Sequence, residues 1–317
     1  SLIEYSAFFG SIQIFKYLLL NNVELTSSLW FYAVHSNNPE LIHIIEEKQI
    51  EIENDFYEQI FIESIKSHHN DLSYYFLNNY IQNINDQKVL KYFNFSFINA
   101  DFFNDINFGY LCKYNYIPFV KELLESNKID INRMTKFKFK PFGYFNDKYE
   151  MKTPLHIAIE NDNFDIVKLL LLNEKTDVNA LSKIHVRSFY ASDGVNKLDD
   201  WFGCSLDDDY VSLKITPLFF LILKKKDDVI NILLSNKNID INLKSQFSRE
   251  RFESNEYIKF KAFKNPLHYS IEKNKIDFVK LLLKNEKIDV NSLKKYMIIS
   301  KGTDEPFISK KSYETTP

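Results

Sequence analysis

Few residues of this chain have a type and spacing that could do chemistry. His156 and His268 are the candidates for acid–base catalysis, and each directly follows a Thr-Pro-Leu or Asn-Pro-Leu segment. Cys112 and Cys204 stand alone, without the C-x-x-C spacing of a zinc site. The six glycines are dispersed and form neither a P-loop nor a dinucleotide fingerprint. We therefore expect no catalytic residue, no cofactor and no metal site.

An acidic run at Asp207, Asp208 and Asp209 follows the aromatic pair Trp201 and Phe202. A calcium-binding loop would place oxygen ligands at alternating positions around a tight turn, and that pattern is absent here. The simplest interpretation is a solvated run of charges. The alternative is an acidic contact for a basic partner.

The overall composition narrows the classes of function. Lys and Arg number 40 and Asp and Glu 43, so the chain lacks the basic excess of a nucleic-acid-binding protein. The most apolar stretch, Leu169–Leu172, is far too short to cross a bilayer, so we expect no membrane insertion. Two cysteines in 317 residues do not make a disulfide framework, which favours an intracellular, cytoplasmic location.

Three segments of the chain can be superposed, beginning at Thr153, Thr216 and Asn265. Each opens with a residue that can cap a helix and a Pro that suits the first helical position. Each then continues through a polar break into a second apolar-periodic stretch and closes on Asp-Val-Asn or Asp-Ile-Asn. An earlier copy at 117–132 has the second stretch and the closure, but its first helix is degenerate. Because such a pair of short helices cannot bury its apolar stripe alone, neighbouring pairs must stack.

The Thr-Pro-Leu-His opening and the Asp-Val-Asn closure resemble the ankyrin repeat, whose period is about 33 residues. The resemblance implies an all-α helical-repeat solenoid, an ankyrin-repeat array with β-hairpin fingers. It also implies that the motif histidines bond to the backbone of the neighbouring repeat, and that Phe219 loses this bond in the copy at Thr216. The positions that carry the motif are Thr153, Pro154, Leu155, His156, Thr216, Pro217, Asn265, Pro266, Leu267 and His268.

The openings of the repeats are spaced much more widely than the ankyrin period, although the helix pairs keep their length. The excess lies where ankyrin repeats carry their hairpin fingers, so we expect four enlarged fingers, at 133–151, 181–214, 243–263 and 292–315. Aromatic residues recur along these fingers. Either the hairpins pack edge to edge, or the aromatic residues contact a partner. The candidates for partner binding are Tyr144, Phe145, Trp201, Phe202 and Tyr257.

The sequence predicts two regions, a degenerate helical-repeat region at 1–107 and ankyrin repeats with long inter-repeat loops at 108–317. The first shows the same two-helix rhythm without the motif, and it resembles the helical region that precedes ankyrin repeats in some large protist families. The last residues, Thr316 and Pro317, look like the opening of another repeat, so we expect a truncated last repeat.

These observations favour a scaffold that binds protein partners and has no catalytic activity of its own. An alternative is the targeting or substrate-binding arm of a larger enzyme or effector whose catalytic domain lies outside these residues. A third possibility is a purely structural spacing element. Fold alone does not choose among them, because function resides in surface sites.

Overall fold

The computed structural model of the chain describes residues 1–52, 54–81, 86–98, 103–105, 107–139, 148–187, 210–253, 256–302 and 309–315. The chain divides into two compact units, Ser1–Phe103 and Asn104–Pro317.

The first unit is built from pairs of short helices. The first helices of successive pairs pack on one another, and each also packs on the second helix of its own pair. Large side chains such as Phe15, Phe61 and Phe76 are fully buried between them. The helices are α1 (Leu2–Phe8), α2 (Ile12–Leu20), α3 (Ser28–Ser36), α4 (Pro39–Glu47), α5 (Asn54–Lys66), α6 (Asn70–Asn79) and α7 (Asp86–Lys91), followed by a 3-10 turn at Phe95–Phe97.

Neighbouring pairs of the first unit are also joined by side-chain hydrogen bonds at the breaks between helices. In each case an amide or imidazole N–H of one pair donates to a backbone carbonyl at or just beyond the end of the preceding pair's first helix. The carbonyls of Gly10 and Ile65 also accept a backbone N–H, from Ile12 at 2.9 Å and from His68 at 3.2 Å, so the side-chain bond is a second one to the same acceptor. The bonds join Asn38 to Gly10 (3.2 Å), His69 to His35 (3.0 Å) and Asn94 to Ile65 (3.0 Å).

In the residues that the structure describes, the second unit contains four helix pairs, each followed by a β-hairpin. We number these repeats first (108–152), second (153–215), third (216–264) and fourth (265–315). Their helices are α8 (Phe108–Lys113), α9 (Ile117–Ser126), α10 (Pro154–Glu160), α11 (Phe164–Leu172), α12 (Pro217–Lys224), α13 (Asp227–Leu234), α14 (Pro266–Glu272) and α15 (Ile276–Leu283).

Local sequence explains why the first helices of the last three repeats begin where they do. A proline occupies the first helical position of each, where its missing N–H costs no hydrogen bond. The residue before it caps the helix: Thr153, Thr216 and Asn265 each accept a hydrogen bond from the backbone N–H three residues on. Capping fixes the direction in which the chain leaves the hairpin and enters the helix.

The four hairpins form one antiparallel sheet in which all eight strands follow the order of the sequence. The expected fingers are therefore hairpins, and they pair edge to edge, which was one of the two explanations for their aromatic residues. The all-α class expected from the sequence is incomplete, because the helical repeats carry a continuous sheet. The strands are β1 (Thr135–Phe139), β2 (Lys148–Lys152), β3 (Ser182–Arg187), β4 (Tyr210–Ile215), β5 (Ser245–Glu253), β6 (Glu256–Lys264), β7 (Lys294–Gly302) and β8 (Ser309–Thr315).

The two faces of the sheet differ in their surroundings. On the inner face, Ile184, Leu213 and Ile215 are buried. The ring of Phe247 lies 5.5 Å from that of Phe219 in α12, so this face packs on the first helices. Side chains alternate between faces along a strand, so the residues between these positions point away from the helices and form the outer face.

Asparagine side chains link the Asp-x-Asn loops of successive repeats. Each asparagine donates its amide N–H to a carbonyl of the next loop and accepts a hydrogen bond from the N–H of that loop's aspartate. The three bidentate links join Asn132 to Lys175 and Asp177 (both 2.8 Å), Asn179 to Asn238 and Asp240 (both 2.8 Å), and Asn242 to Lys287 (2.7 Å) and Asp289 (2.8 Å).

We predict that Asn179→Ala lowers the free energy of unfolding by about 1–2 kcal/mol, because it removes two hydrogen bonds between repeats. Urea denaturation followed by circular dichroism measures the change. Asn291→Ala is the matched control, since Asn291 holds the same place in the fourth repeat, at the end of the series. Equal losses in the two variants would contradict a role for these links in stacking.

Candidate protein-interaction site

The histidine of the second repeat is held by two hydrogen bonds inside the protein. His156 Nδ1 lies 2.7 Å from the hydroxyl of Thr153, and its Nε2 donates to the carbonyl of Ile215 at 3.1 Å. Ile215 directly precedes the cap of the third repeat, so the ring ties the start of one repeat to the start of the next. Burial lowers the pKa of His156 to about 3. The imidazole is therefore neutral at physiological pH.

The equivalent position is occupied in different ways in the other repeats. Phe219 occupies it in the third repeat, and its ring packs 4.8 Å from that of Tyr269. Gly109 occupies it in the first, where an added Cβ would come within 1.9 Å of the hydroxyl of Thr135. In the fourth repeat, His268 Nδ1 accepts a hydrogen bond from the N–H of Asn265 at 3.3 Å. The side chain at this position therefore fills the space between helix and hairpin. No set of acid–base groups is repeated there.

We predict that His156 makes the protein less stable in acid. Its pKa is about 3 in the folded chain and about 6.5 when unfolded, so between these values only the unfolded chain binds the proton. Stability therefore falls as the pH drops through this window. Between pH 7 and pH 5 the wild type should lose about 2 kcal/mol more than His156→Gln does.

Urea titrations at the two pH values measure this difference. The control is His43→Gln, because the side chain of His43 is 70% exposed. That variant should lose as much stability in acid as the wild type. An acid loss in His156→Gln equal to the wild type's would contradict the prediction.

A buried charge cluster supports the first hairpin where it meets the second repeat. The ammonium group of Lys152 lies 2.7 Å from carboxylate oxygens of both Glu150 and Glu160. It also lies 5.6 Å from the centre of the Phe137 ring, in cation–π contact. The cluster joins β2 to the end of α10.

The same positions are differently occupied in the later repeats. Where the second hairpin meets the third repeat, Ile215, Leu213 and Leu223 stand in place of the lysine and the two glutamates, so the cluster is replaced by apolar side chains. Where the third hairpin meets the fourth repeat, the arrangement is charged again, and Lys264 Nζ lies 2.6 Å from Glu272. Burial lowers the pKa of Lys264, and the Glu272 carboxylate opposes that shift. Charged and apolar side chains therefore fill the same space where hairpin and helix meet.

We predict that the triple variant Lys152→Ile, Glu150→Leu, Glu160→Leu unfolds within about 1 kcal/mol of the wild type. Apolar packing of similar volume often replaces a buried ion cluster at little cost, whereas Lys152→Ile alone should cost about 3 kcal/mol. The single change leaves two partly buried carboxylates without their shared cation. Urea denaturation measures both variants.

The matched control is Lys121→Ile, which breaks the exposed pair with Glu125 and should change stability by less than about 1 kcal/mol. A triple variant as unstable as the single Lys152→Ile variant would contradict the interpretation.

The outer face of the sheet carries a row of residues that pair across all eight strands. We call it the lysine row, because four of its eight members are lysine. Its members, from β1 to β8, are Lys136, Met151, Lys183, Lys214, Gln246, Phe263, Lys295 and Glu314. Lys136, Lys183 and Lys214 are exposed. The row crosses strands held in register, which gives it a defined geometry.

A second row on the outer face is also polar at its centre. His185 pairs with Ser212, which pairs with Ser248, and Ser248 pairs with Lys261. The amide of Gln246 donates to the hydroxyl of Ser248 at 2.7 Å. The centre of the outer face therefore presents ammonium, imidazole and hydroxyl groups.

Most of the partner-binding candidates lie outside the described residues. These candidates are Tyr144, Phe145, Trp201 and Phe202. Asp207–Asp209 and Cys204 also lie outside the described residues. Tyr257 lies in β6, where its backbone pairs with Phe252 and Lys301. Cys112 is fully buried, and burial raises the pKa of its thiol.

The lysines of the outer face were not among the candidates from sequence. The signal available was alternation: Lys136 and Lys138 flank Phe137, and Lys183 and Lys214 each sit beside a buried aliphatic residue. That alternation places the lysines on one face of each strand. It does not show which lysines become neighbours across strands, since that depends on the register.

The described part of the chain contains no group of three or more His, Cys, Asp or Glu side chains that could hold a metal ion. None of its helices combines the length and the apolar character needed to cross a lipid bilayer.

Pairs of short helices, linked by asparagines at Asp-x-Asn loops and each followed by a hairpin, define a helical-repeat protein. A family model described as ankyrin repeats (3 copies) matches residues 99–182, and one described as ankyrin repeat matches residues 264–295. The chain therefore contains ankyrin repeats. A search of the curated proteins finds no match to it.

Proposed function

We propose that this chain is a scaffold that binds a protein partner through its hairpin fingers and has no catalytic activity of its own. Ankyrin repeats are in general protein–protein interaction modules. The observation that carries the proposal is the continuous sheet, which packs one face on the helices and presents the other outward. An array needs only the inner face for its own stability, which leaves the outer face and the hairpin ends for a partner.

The length of the hairpins supports this assignment. Strands β5 and β6 are nine residues each, and their pairing runs from Ser245 opposite Lys264 out to Glu253 opposite Glu256. The buried inner residues of these strands, such as Ala262, lie near the helical end of the hairpin. Ordering strands of this length costs chain entropy, which partner binding would offset.

A protein partner fits the charge of the chain better than a nucleic acid does. The formal net charge is −3, and carboxylates lie among the lysines of the sheet, for example Glu314 at 3.5 Å from Lys295. A cytoplasmic setting accords with a buried, unpaired thiol at Cys112.

We predict that replacing residues 188–209 by Asn-Gly abolishes partner binding while the array stays folded. Arg187 pairs directly with Tyr210, so a two-residue turn closes the hairpin without changing the register of β3 and β4. The replacement removes Trp201 and Phe202. Affinity capture from native cells with the tagged chain, followed by quantification of the captured proteins, measures the loss.

The matched variant replaces residues 140–147 by Asn-Gly, because Phe139 pairs directly with Lys148. It removes Tyr144 and Phe145 from a different hairpin. Circular dichroism and thermal unfolding confirm that both variants are folded. Undiminished capture of the same partner by a variant carrying both replacements would exclude binding through the hairpin ends.

A further inference from the structure

Two lysines of the lysine row face each other directly on neighbouring strands. Lys183 in β3 and Lys214 in β4 are register partners, and both are exposed on the outer face. Like charges in directly opposed positions destabilise a sheet. Within the described residues, no carboxylate lies within ion-pair distance of either ammonium group. The centre of the sheet therefore carries a repulsion that nothing in the described structure relieves.

Several other cations of the second unit are compensated. On the inner face, Lys152 and Lys264 each contact a glutamate at 2.7 Å and 2.6 Å. On the outer face, Lys295 lies 3.5 Å from Glu314, and the ammonium group of Lys136 lies 3.7 Å from the centre of the Tyr149 ring. Lys183 and Lys214 lack the compensation that these four lysines have.

The surroundings of the pair are suited to an anionic ligand. The adjoining row of the outer face supplies the hydroxyl of Ser212 and, two strands further on, the ammonium group of Lys261. Strands β3, β4 and β6 are hydrogen-bonded on each side, so the backbone positions of these residues are fixed before a ligand arrives. Preorganisation of this kind reduces the entropic cost of binding.

We propose that Lys183 and Lys214, together with Lys261 two strands further on, form the docking site for an acidic segment of the protein partner. The proposal rests on the proposed function and names the chemistry of the partner. An extended segment presents alternate side chains on one side about 6.8 Å apart, and neighbouring strands of the sheet are about 4.8 Å apart. Consecutive carboxylates of such a segment can therefore reach ammonium groups on neighbouring strands.

A polypeptide suits this site better than a nucleic acid. Nucleic acids bind to a continuous cationic track, along which each phosphate finds a counterion. Here the row is interrupted by Met151 and Gln246, and it ends at Glu314. An acidic peptide can place carboxylates opposite the lysine pair and uncharged side chains opposite the interruptions.

The test measures binding of a fluorescein-labelled 12-residue peptide of alternating Glu and Ser to the full chain, by fluorescence anisotropy at low ionic strength. We expect Lys183→Gln with Lys214→Gln to weaken binding about tenfold, since each exposed ion pair contributes a factor of a few. Lys280→Gln with Lys284→Gln is the control. It changes the net charge equally at two exposed lysines, one in α15 and one at its C-terminal cap, and it should leave the affinity unchanged.

Three results would overturn the proposal: an unchanged affinity in the sheet variant, an equal loss in the control, or tighter binding of a 12-nucleotide oligo-dT than of the peptide. An equal loss would mean that net charge alone attracts the peptide. A matched Gln-Ser peptide should not bind measurably, and measurable binding of it would also count against the proposal.

The same variants separate this proposal from the proposed function. If the hairpin-end replacements abolish capture of a cellular partner while the variant Lys183→Gln with Lys214→Gln captures it normally, the docking site is wrong and the scaffold function stands.

Relief of the repulsion between Lys183 and Lys214 gives a second readout. Lys214→Gln alone should raise the Tm by about 1–3 °C at low salt, and an unchanged or lower Tm would contradict the uncompensated pair.

Discussion

A pair of short helices exposes an apolar stripe that it cannot bury by itself, so each pair of this protein depends on its neighbours. The contacts that fix the stacking within each unit are specific as well as apolar. In the first unit, side chains such as Asn38 and His69 donate to carbonyls at or just beyond the helix ends of the preceding pair. In the second, asparagines such as Asn179 bridge one Asp-x-Asn loop to the next through two bonds. Stacking is thereby set to one spacing, and every other feature of the second unit follows from that spacing.

The sheet is the clearest consequence. Hairpins that emerge from equivalent points of stacked repeats are brought side by side, and their free edges then pair with one another. Pairing satisfies the backbone groups that an isolated hairpin would expose at its edges. Where hairpin and helix meet, the chain fills the same space with a Lys–Glu cluster around Lys152 or with apolar side chains around Ile215. The charged cluster and the apolar side chains can replace each other, because the position requires only that its volume be filled and that any polar group there be paired.

Sequence reasoning identified the parts of this design that are local. Thr153 and Pro154 predict a capped helix, and the Asp-x-Asn closures mark the ends of repeats. The excess spacing between the repeat openings locates the hairpins. It classified the chain as all-α because the pairing of one hairpin with the next depends on the distance between repeats, which no single segment encodes. That Lys183 and Lys214 face each other could not be predicted from the sequence, for a related reason. They belong to strands whose register is fixed across a 22-residue separation, from 188 to 209. Gly109 likewise occupies the histidine position of a repeat whose motif is otherwise absent.

The two faces of the sheet show how such an array can evolve a binding surface without loss of stability. Inner-face residues such as Leu213 are constrained by the helices beneath them, so substitutions there change the core. Outer-face residues such as Lys214 contact solvent, and their replacement leaves the packing intact. The strands nevertheless hold these side chains at fixed spacing, as a loop would not. A charge placed on the outer face is therefore both free to vary and precise in position, which is the combination that recognition of a charged partner requires.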